Sequence, residues 1–144
     1  MLFSEASGRK VVSTSTAETL GQIADFVIDP QTRSLVALTV KKTDHGDTLL
    51  WSRITAFGSD AVTVPAAEAI FDADDAVAAL SGKDHHPIGK RVLTTAGEDL
   101  GSVADVDFDP ENGRLITLTL ATGGIAAERL IAIGSYAAVV HPDS

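Results

Sequence analysis

The residues whose spacing comes closest to a metal site are Asp105, Asp107 and Asp109, which occupy alternate positions in the second half of the chain. A calcium loop of the EF-hand type needs glycine at its sixth position and a bidentate glutamate at its twelfth. Counted from Asp105, those positions hold Pro110 and Ile116. We therefore interpret the three aspartates as the hydrated face of a strand, on which every second residue points to solvent.

The four histidines are the other possible metal ligands. His85 and His86 are adjacent, and adjacent side chains do not converge on one ion as ligands one helical turn apart do. His45 and His141 stand alone in the sequence. We interpret the histidines as hydrated loop residues and expect neither a metal nor another cofactor. The chain contains no cysteine, which excludes disulfides, thiolate ligands and thiolate nucleophiles.

Motifs for covalent or acid–base catalysis are also missing from the sequence. There is no Gly-x-Ser-x-Gly elbow, and Gly82-Lys83 lacks the first glycine and the hydroxyl residue of a phosphate-binding loop. Asp25 and Asp105 recur at the same place in two similar segments, which makes them the best candidates for an acid–base pair. A role in capping a turn or strand is the simpler interpretation, and we expect a protein that is not an enzyme.

Composition and charge narrow the classes of partner. The chain has 144 residues, of which 44% are apolar and 22% charged, as is typical of globular proteins. The sequence shows neither a membrane-length apolar run nor a signal peptide, so we expect a cytoplasmic protein without direct membrane insertion. Its formal charge of −9 repels phosphate backbones and argues against nucleic-acid binding.

An internal repeat organises the whole chain. The segment Leu20–Pro30 is matched by Leu100–Pro110, and the offset of 80 residues continues without a gap to Val40 and Leu120. Further on, Arg53-Ile54 is matched by Arg129-Leu130. We infer two copies of one unit, over about residues 8–65 and 88–142.

The residue pattern of each unit predicts a β-hairpin followed by further short strands. In the second unit, alternation over Ser102–Asp109 places Ala104, Val106 and Phe108 towards a core. A turn with proline and Asn-Gly follows, and then a second strand at Leu115–Leu120. The first unit repeats the scheme. Short strands with closely spaced turns predict a mainly β fold of two small barrels or sandwiches.

The two units are expected to pack on each other. A unit of about 60 residues is only marginally stable alone, and pairing would bury more surface, so a pseudo-twofold pair is the expected arrangement. Between the units, residues 66–71 and 74–80 favour helix, with Asp72 or Asp74 as N-cap. The predicted division is a first domain over residues 1–65, a partly helical acidic linker over 66–87 and a second domain over 88–144.

These motifs resemble the PRC-barrel family, which is named after the cytoplasmic domain of the photosynthetic reaction-centre H subunit. The resemblance rests on Gly-Arg/Lys-Val, on Leu-Gly-x-Ile/Val-x-Asp, on the Asp-Pro turn and on the Leu/Val-rich strand that follows. It covers the chain twice, as tandem copies. Leu50–Ile54 closely matches how such domains finish, whereas the second unit has Ala126–Glu128 there, after a loop four residues shorter.

The resemblance implies small β-barrels that act as adaptors. Relatives include a reaction-centre subunit, a ribosome-maturation factor that binds a small-subunit protein, and proteins linked to sporulation or archaeal cell division. The family shares no catalytic set, so the resemblance supplies no site residues.

The candidate partner interface comes from residue types instead. Trp51 is the single tryptophan, and it is either a core residue or an anchor in a partner's pocket. The loop at residues 41–47 has no counterpart of equal length in the second unit, and loops often carry recognition. The interface candidates are Lys41, Lys42, His45, Trp51, Arg53, Asp105, Asp107 and Asp109.

Three functions remain open on the sequence. The first is a non-enzymatic interaction module whose acidic strand faces favour a protein partner with a basic patch; a homodimer is compatible with it. The second is a regulator that binds a small ligand or metal in a cleft between the barrels. The third is an RNA-associated maturation factor, against which the charge argues.

Overall fold

A computed structural model describes residues 1–44, 46–81 and 85–142, and it shows a mainly β protein with two sheets that form two barrel-like domains. The first sheet contains β1 (Lys10–Ser13), β2 (Thr19–Asp29), β3 (Ser34–Lys41), β4 (Thr48–Leu50), β5 (Ala56–Phe57), β6 (Ala61–Val64) and β7 (Ile70–Phe71). The second contains β8 (Arg91–Thr94), β9 (Asp99–Phe108), β10 (Leu115–Leu120), β11 (Gly123–Ala126), β12 (Leu130–Ile133) and β13 (Ala137–Val140). The described helices are α1 (Phe3–Ala6), α2 (Asp75–Leu80) and 3-10 turns at Trp51–Arg53, Ala67–Ala69 and Ala127–Arg129.

The strand order confirms the duplication. The first sheet runs β5-β6-β1-β2-β3-β4-β7, and the second runs β12-β13-β8-β9-β10-β11, which is the same order without the last strand. In both units the opening strand is parallel to the closing one, and the other neighbours are antiparallel. The pair Leu38 and Leu49 in the first unit corresponds to Leu118 and Ile125 in the second.

One expectation about the core is wrong. Ala104 is exposed, and Val103 is buried instead, with 2% of its surface accessible. Thr119 pairs with Asp105 and Leu120 with Val103, so Ala104 is the extra residue of a β-bulge. A bulge shifts the alternation by one residue, which turns the flanking residue from one face of the strand to the other.

The linker belongs partly to the first barrel. Residues 66–71, expected as helix, form a 3-10 turn and then β7, which pairs antiparallel with β4. Helix α2 follows as expected, with the Asp74 carboxylate accepting a hydrogen bond of 2.9 Å from the Val77 amide. The Val77 side chain packs with Val27 and Ala37 on the outer face of the first sheet.

The two barrels meet around a pseudo-twofold axis. Ser34 pairs antiparallel with Arg114, and these residues occupy the same place in the two repeats. The Leu35 amide donates to the Gly113 carbonyl at 2.7 Å, and the Leu115 amide donates to the Arg33 carbonyl at 2.9 Å. The two bonds are equivalent under the repeat, so the axis passes between Ser34 and Arg114.

A single hydrophobic cluster fills both barrels and the space between them. Its centre is aromatic: Phe108 of the second barrel lies 5.6 Å from Phe3, 5.9 Å from Phe26 and 5.4 Å from Phe57, measured between ring centroids. Phe108 is fully buried. Because the four rings come from both halves, the halves are expected to unfold together.

We predict that Phe108→Ala lowers the free energy of unfolding by about 3–5 kcal/mol, the range for removing a buried phenylalanine. Urea denaturation followed by tryptophan fluorescence and by circular dichroism should give one shared transition for the native chain. Tyr136→Ala is the control, because this ring is 75% exposed, and it should change stability by less than about 0.5 kcal/mol. Two separate transitions in the native chain would contradict a shared core.

Candidate functional site

The Trp51 side chain lies between the barrels. The 3-10 turn after β4 places its ring on Gly113 of the second barrel, where an added Cβ would lie 2.8 Å from Trp51 Cε2. The ring also stacks on Phe57 at 5.6 Å and meets the edge of Phe108 at 6.3 Å. Trp51 is therefore partly buried and joins the two barrels.

Asp105 and Asp107 hold the start of the chain against the second barrel. The Ser4 amide donates to Asp105 Oδ1 at 3.2 Å, and the Ser4 hydroxyl donates to Asp105 Oδ2. The Met1 ammonium group donates to Asp107 Oδ1 at 2.7 Å. These two carboxylates lie on the strand face that points away from the core, as expected, and they bind the start of the chain in addition to solvent. Asp109 instead caps its turn, accepting from the Glu111 amide at 2.9 Å.

The matching contact occurs on the first barrel. His86, which precedes the second barrel, places Nδ1 2.8 Å from Asp25 Oδ1. As expected of a capping role, Asp25 also accepts from the following amide, that of Phe26, at 2.8 Å, and Asp105 accepts from Val106 at 2.9 Å. His86 is thus not a purely hydrated loop residue. Each barrel is preceded by an entry segment, residues 1–6 or 85–88, that binds the other barrel's bulge aspartate.

An inter-barrel groove lies beside the pseudo-twofold axis. It encloses about 310 Å³ and is lined by Arg33 of the first barrel and by Arg114, Ile116 and Glu128 of the second. Ile116 is 49% exposed because it is the extra residue of a bulge on β10. The equivalent residue of the first barrel, Val36, packs instead against the cluster that α2 covers.

A model of the PRC-barrel domain matches the chain twice, over residues 1–77 and 82–143. The chain belongs to the PRC-barrel domain family. The resemblance seen in the sequence is thus confirmed, as are the two tandem copies. A search of curated proteins finds no match to this chain. Within residues 1–44, 46–81 and 85–142, the PRC-barrel protein has no helix long and apolar enough to cross a membrane.

The other interface candidates lie on the first PRC barrel. Lys41, Lys42 and Arg53 are exposed, whereas His45 lies outside the described residues. Gly46 of the first barrel lies so close to the backbone of Phe71 in β7 that a side chain there would have no room. Neither Ile116 nor the groove was predicted from the sequence. The available signal was that Ile116 repeats Val36 at the offset of 80.

The two PRC barrels contact each other through residues of unequal size. Gly113, under Trp51, has φ +77°, and its repeat equivalent Arg33 has φ 56°, so both positions use the left-handed region. The equivalent of Trp51 is Ala127. Arg33 Nε donates to the Leu130 carbonyl at 2.9 Å, across the barrel boundary. Trp51 of the first barrel thus faces Gly113 of the second. On the other side of the axis, the equivalent positions hold Ala127 and Arg33.

We predict that Trp51 and Gly113 are energetically coupled. Gly113→Ala should lose about 1–2 kcal/mol to left-handed backbone strain in any background, and should lose more where the Trp51 ring is present. In the Trp51→Ala background the steric part disappears, which gives a coupling energy of about 1–2 kcal/mol. A double-mutant cycle by urea denaturation, followed by circular dichroism, measures this energy. An equal cost of Gly113→Ala in both backgrounds would contradict the contact.

Proposed function

We propose that this protein is a non-enzymatic interaction module, in which two PRC-barrel domains held against each other present one composite surface to a protein partner. The observation that carries the proposal is the inter-barrel groove, because residues of both barrels line it and neither barrel alone forms it. Two barrels with a shared core give such a surface a fixed shape.

The residues of the groove suit protein recognition. Ile116 offers an exposed apolar side chain beside the guanidinium group of Arg114, which is also exposed. Arginine side chains are enriched among the residues that dominate interface energies, and an apolar contact at the centre of a patch excludes water. Arg33, fixed by its bond to the Leu130 carbonyl, provides the opposite wall.

The charge outside the groove favours a partner with a basic patch. The chain carries a formal charge of −9, and the linker contributes the exposed carboxylates of Asp72 and Asp75. Such a field accelerates the approach of a positively charged partner at long range. At contact distance, the groove arginines then bind carbonyl or carboxylate oxygens of the same partner.

A groove variant tests the surface. Ile116→Asp should weaken partner capture about tenfold or more, because it places a charge in the apolar centre of the proposed contact. The measurement is affinity capture from native lysate with cross-linking mass spectrometry, which also maps the contact. Tyr136→Ser is the matched control, since it removes the other exposed large apolar side chain among the described residues. Equal capture by both variants would contradict the proposed surface.

Salt dependence tests the electrostatic part. The association rate constant with the captured partner should fall about tenfold or more between low and physiological ionic strength, because the long-range attraction is screened. Surface plasmon resonance over a salt series measures it. A rate constant that does not change with salt would exclude a partner with a basic patch. The Ile116→Asp experiment would still test whether the groove is the binding surface.

A small-ligand regulator is the second candidate function. A cavity of about 270 Å³ lies beside the His86–Asp25 pair and is lined by both halves of the chain, with Phe3, Phe26 and Ile88 as its apolar walls. A ligand that binds the folded state raises the melting temperature in a saturable way. Thermal-shift screening with divalent ions and metabolites should detect one, and His86→Gln should abolish the shift if the ligand uses this cavity.

A further inference from the structure

The two PRC barrels differ at one sheet edge. In the first barrel, β4 is covered by β7, whose Ile70 pairs with Leu49 and whose Phe71 pairs with Thr48. In the second barrel the equivalent strand, β11, is the outermost strand of its sheet within the described part of the chain. A strand edge with unpaired backbone groups is a ready template for another strand.

A cavity with an apolar floor and a polar rim opens beside this edge. It encloses about 260 Å³ and is lined by Leu100, Leu120 and Ile125, by the backbone of Gly123 and Gly124, and by polar side chains that include Glu98 and Arg129. These leucine and isoleucine residues repeat Leu20, Val40 and Leu49 of the first barrel. An apolar cavity of about 150 Å³ already holds a benzene molecule, so this one has room for a large side chain.

The first barrel shows what such an edge binds. Ile70 is 2% exposed and belongs to the shared core cluster, so the covering strand contributes a buried aliphatic side chain. The longer loop of the first barrel closes the same end, because Gly46 packs on the backbone of Phe71. The loop of the second barrel is four residues shorter, and no strand of the described residues pairs with the outer edge of β11.

The backbone of β11 has groups that point outward. In the first barrel the Val40 amide donates to the Asp47 carbonyl, so the next residue, Thr48, turns its amide and carbonyl towards β7. The register of β10 and β11 is the same as that of β3 and β4. Gly124, the equivalent of Thr48, and Ala126 therefore direct their amides away from β10.

We propose that the outer edge of β11 binds an extended segment of a partner protein, added as an antiparallel strand, in which an aliphatic residue followed by an aromatic one occupies the places that Ile70 and Phe71 take in the first barrel. This site goes beyond the proposed function, because it uses a sheet edge rather than the Ile116 groove. A second copy cannot supply its own Ile70, which is already buried against β4.

The first test uses a peptide with the sequence of residues 66–73, AAEAIFDA, blocked at both ends. Titrated into the ¹⁵N-labelled full chain, it should cause saturable shifts of the Gly123–Ala126 amides. The peptide with aspartate in place of isoleucine should bind at least about tenfold more weakly, because burial of one isoleucine side chain is lost. Shifts confined to the Ile116 groove, or equal binding of both peptides, would overturn the proposal.

A matched pair of protein variants locates the site. Ala126→Pro removes an outward amide without strain, since Ala126 has φ −58°, close to the value that proline requires. It should weaken peptide binding about tenfold, whereas Ile116→Asp should leave it unchanged. Because Ala126 also lines the Ile116 groove, the second variant decides between the two sites. Loss of peptide binding with Ile116→Asp would place the peptide in the groove and overturn the edge site, while leaving the proposed interaction function standing.

A short free peptide binds weakly, so a third experiment places the same segment within the chain. The repeat aligns Pro142 with Ala66, so the residues AEAIFD placed directly after Pro142 reproduce the covering strand in the same chain. This graft should raise the melting temperature by several degrees over a graft with aspartate for isoleucine, and should abolish binding of the free peptide. Equal melting temperatures of the two grafts would overturn the proposal. A dimer of the native chain that Ala126→Pro dissociates would also overturn it, because the edge would then bind a second copy.

Discussion

The insertion of Phe108 among aromatic side chains of the first barrel is the contact on which the rest of the structure depends. A barrel of about 60 residues buries a small fraction of its surface and is only marginally stable by itself. Here the two sheets avoid that limit by sharing one hydrophobic cluster, in which Phe3, Phe26 and Phe57 surround a ring from the other half. The inter-barrel groove exists because this contact fixes the two sheets relative to each other.

Exchange of the entry segments strengthens the same contact. Ser4 reaches across to Asp105, and His86 reaches across to Asp25, so each bulge aspartate binds the chain that leads into the other barrel. The symmetry is not complete, because Trp51 faces Gly113 where the other side has Ala127 and Arg33. The differences between the repeats are therefore concentrated at the boundary, where one surface must fit the other, and at the sheet edge and outer face of the first barrel that β7 and α2 cover.

The sequence was sufficient to predict the fold because its signals are local or repeated. Period-two alternation and the Asp-Pro turns predict the hairpins, and the offset of 80 predicts that they occur twice. The sequence did not predict that Ala104 is exposed, because a bulge depends on the partner strand rather than on the strand's own pattern. The roles of Asp105 and His86 depend on partners 101 and 61 residues away, which no local pattern reveals. The sequence did not decide whether Trp51 is a core residue or an interface residue, because a ring between two barrels has features of both.

The distribution of aromatic residues along the chain has a consequence for biosynthesis. A ribosome that adds about 5–20 residues per second needs roughly 3–10 s to travel from Phe57 to Phe108. During that interval the nascent first half carries Phe26, Trp51 and Phe57 without the ring that later covers them. Transiently exposed apolar surface of this kind favours aggregation, so the first half is most vulnerable before the second half has been synthesised.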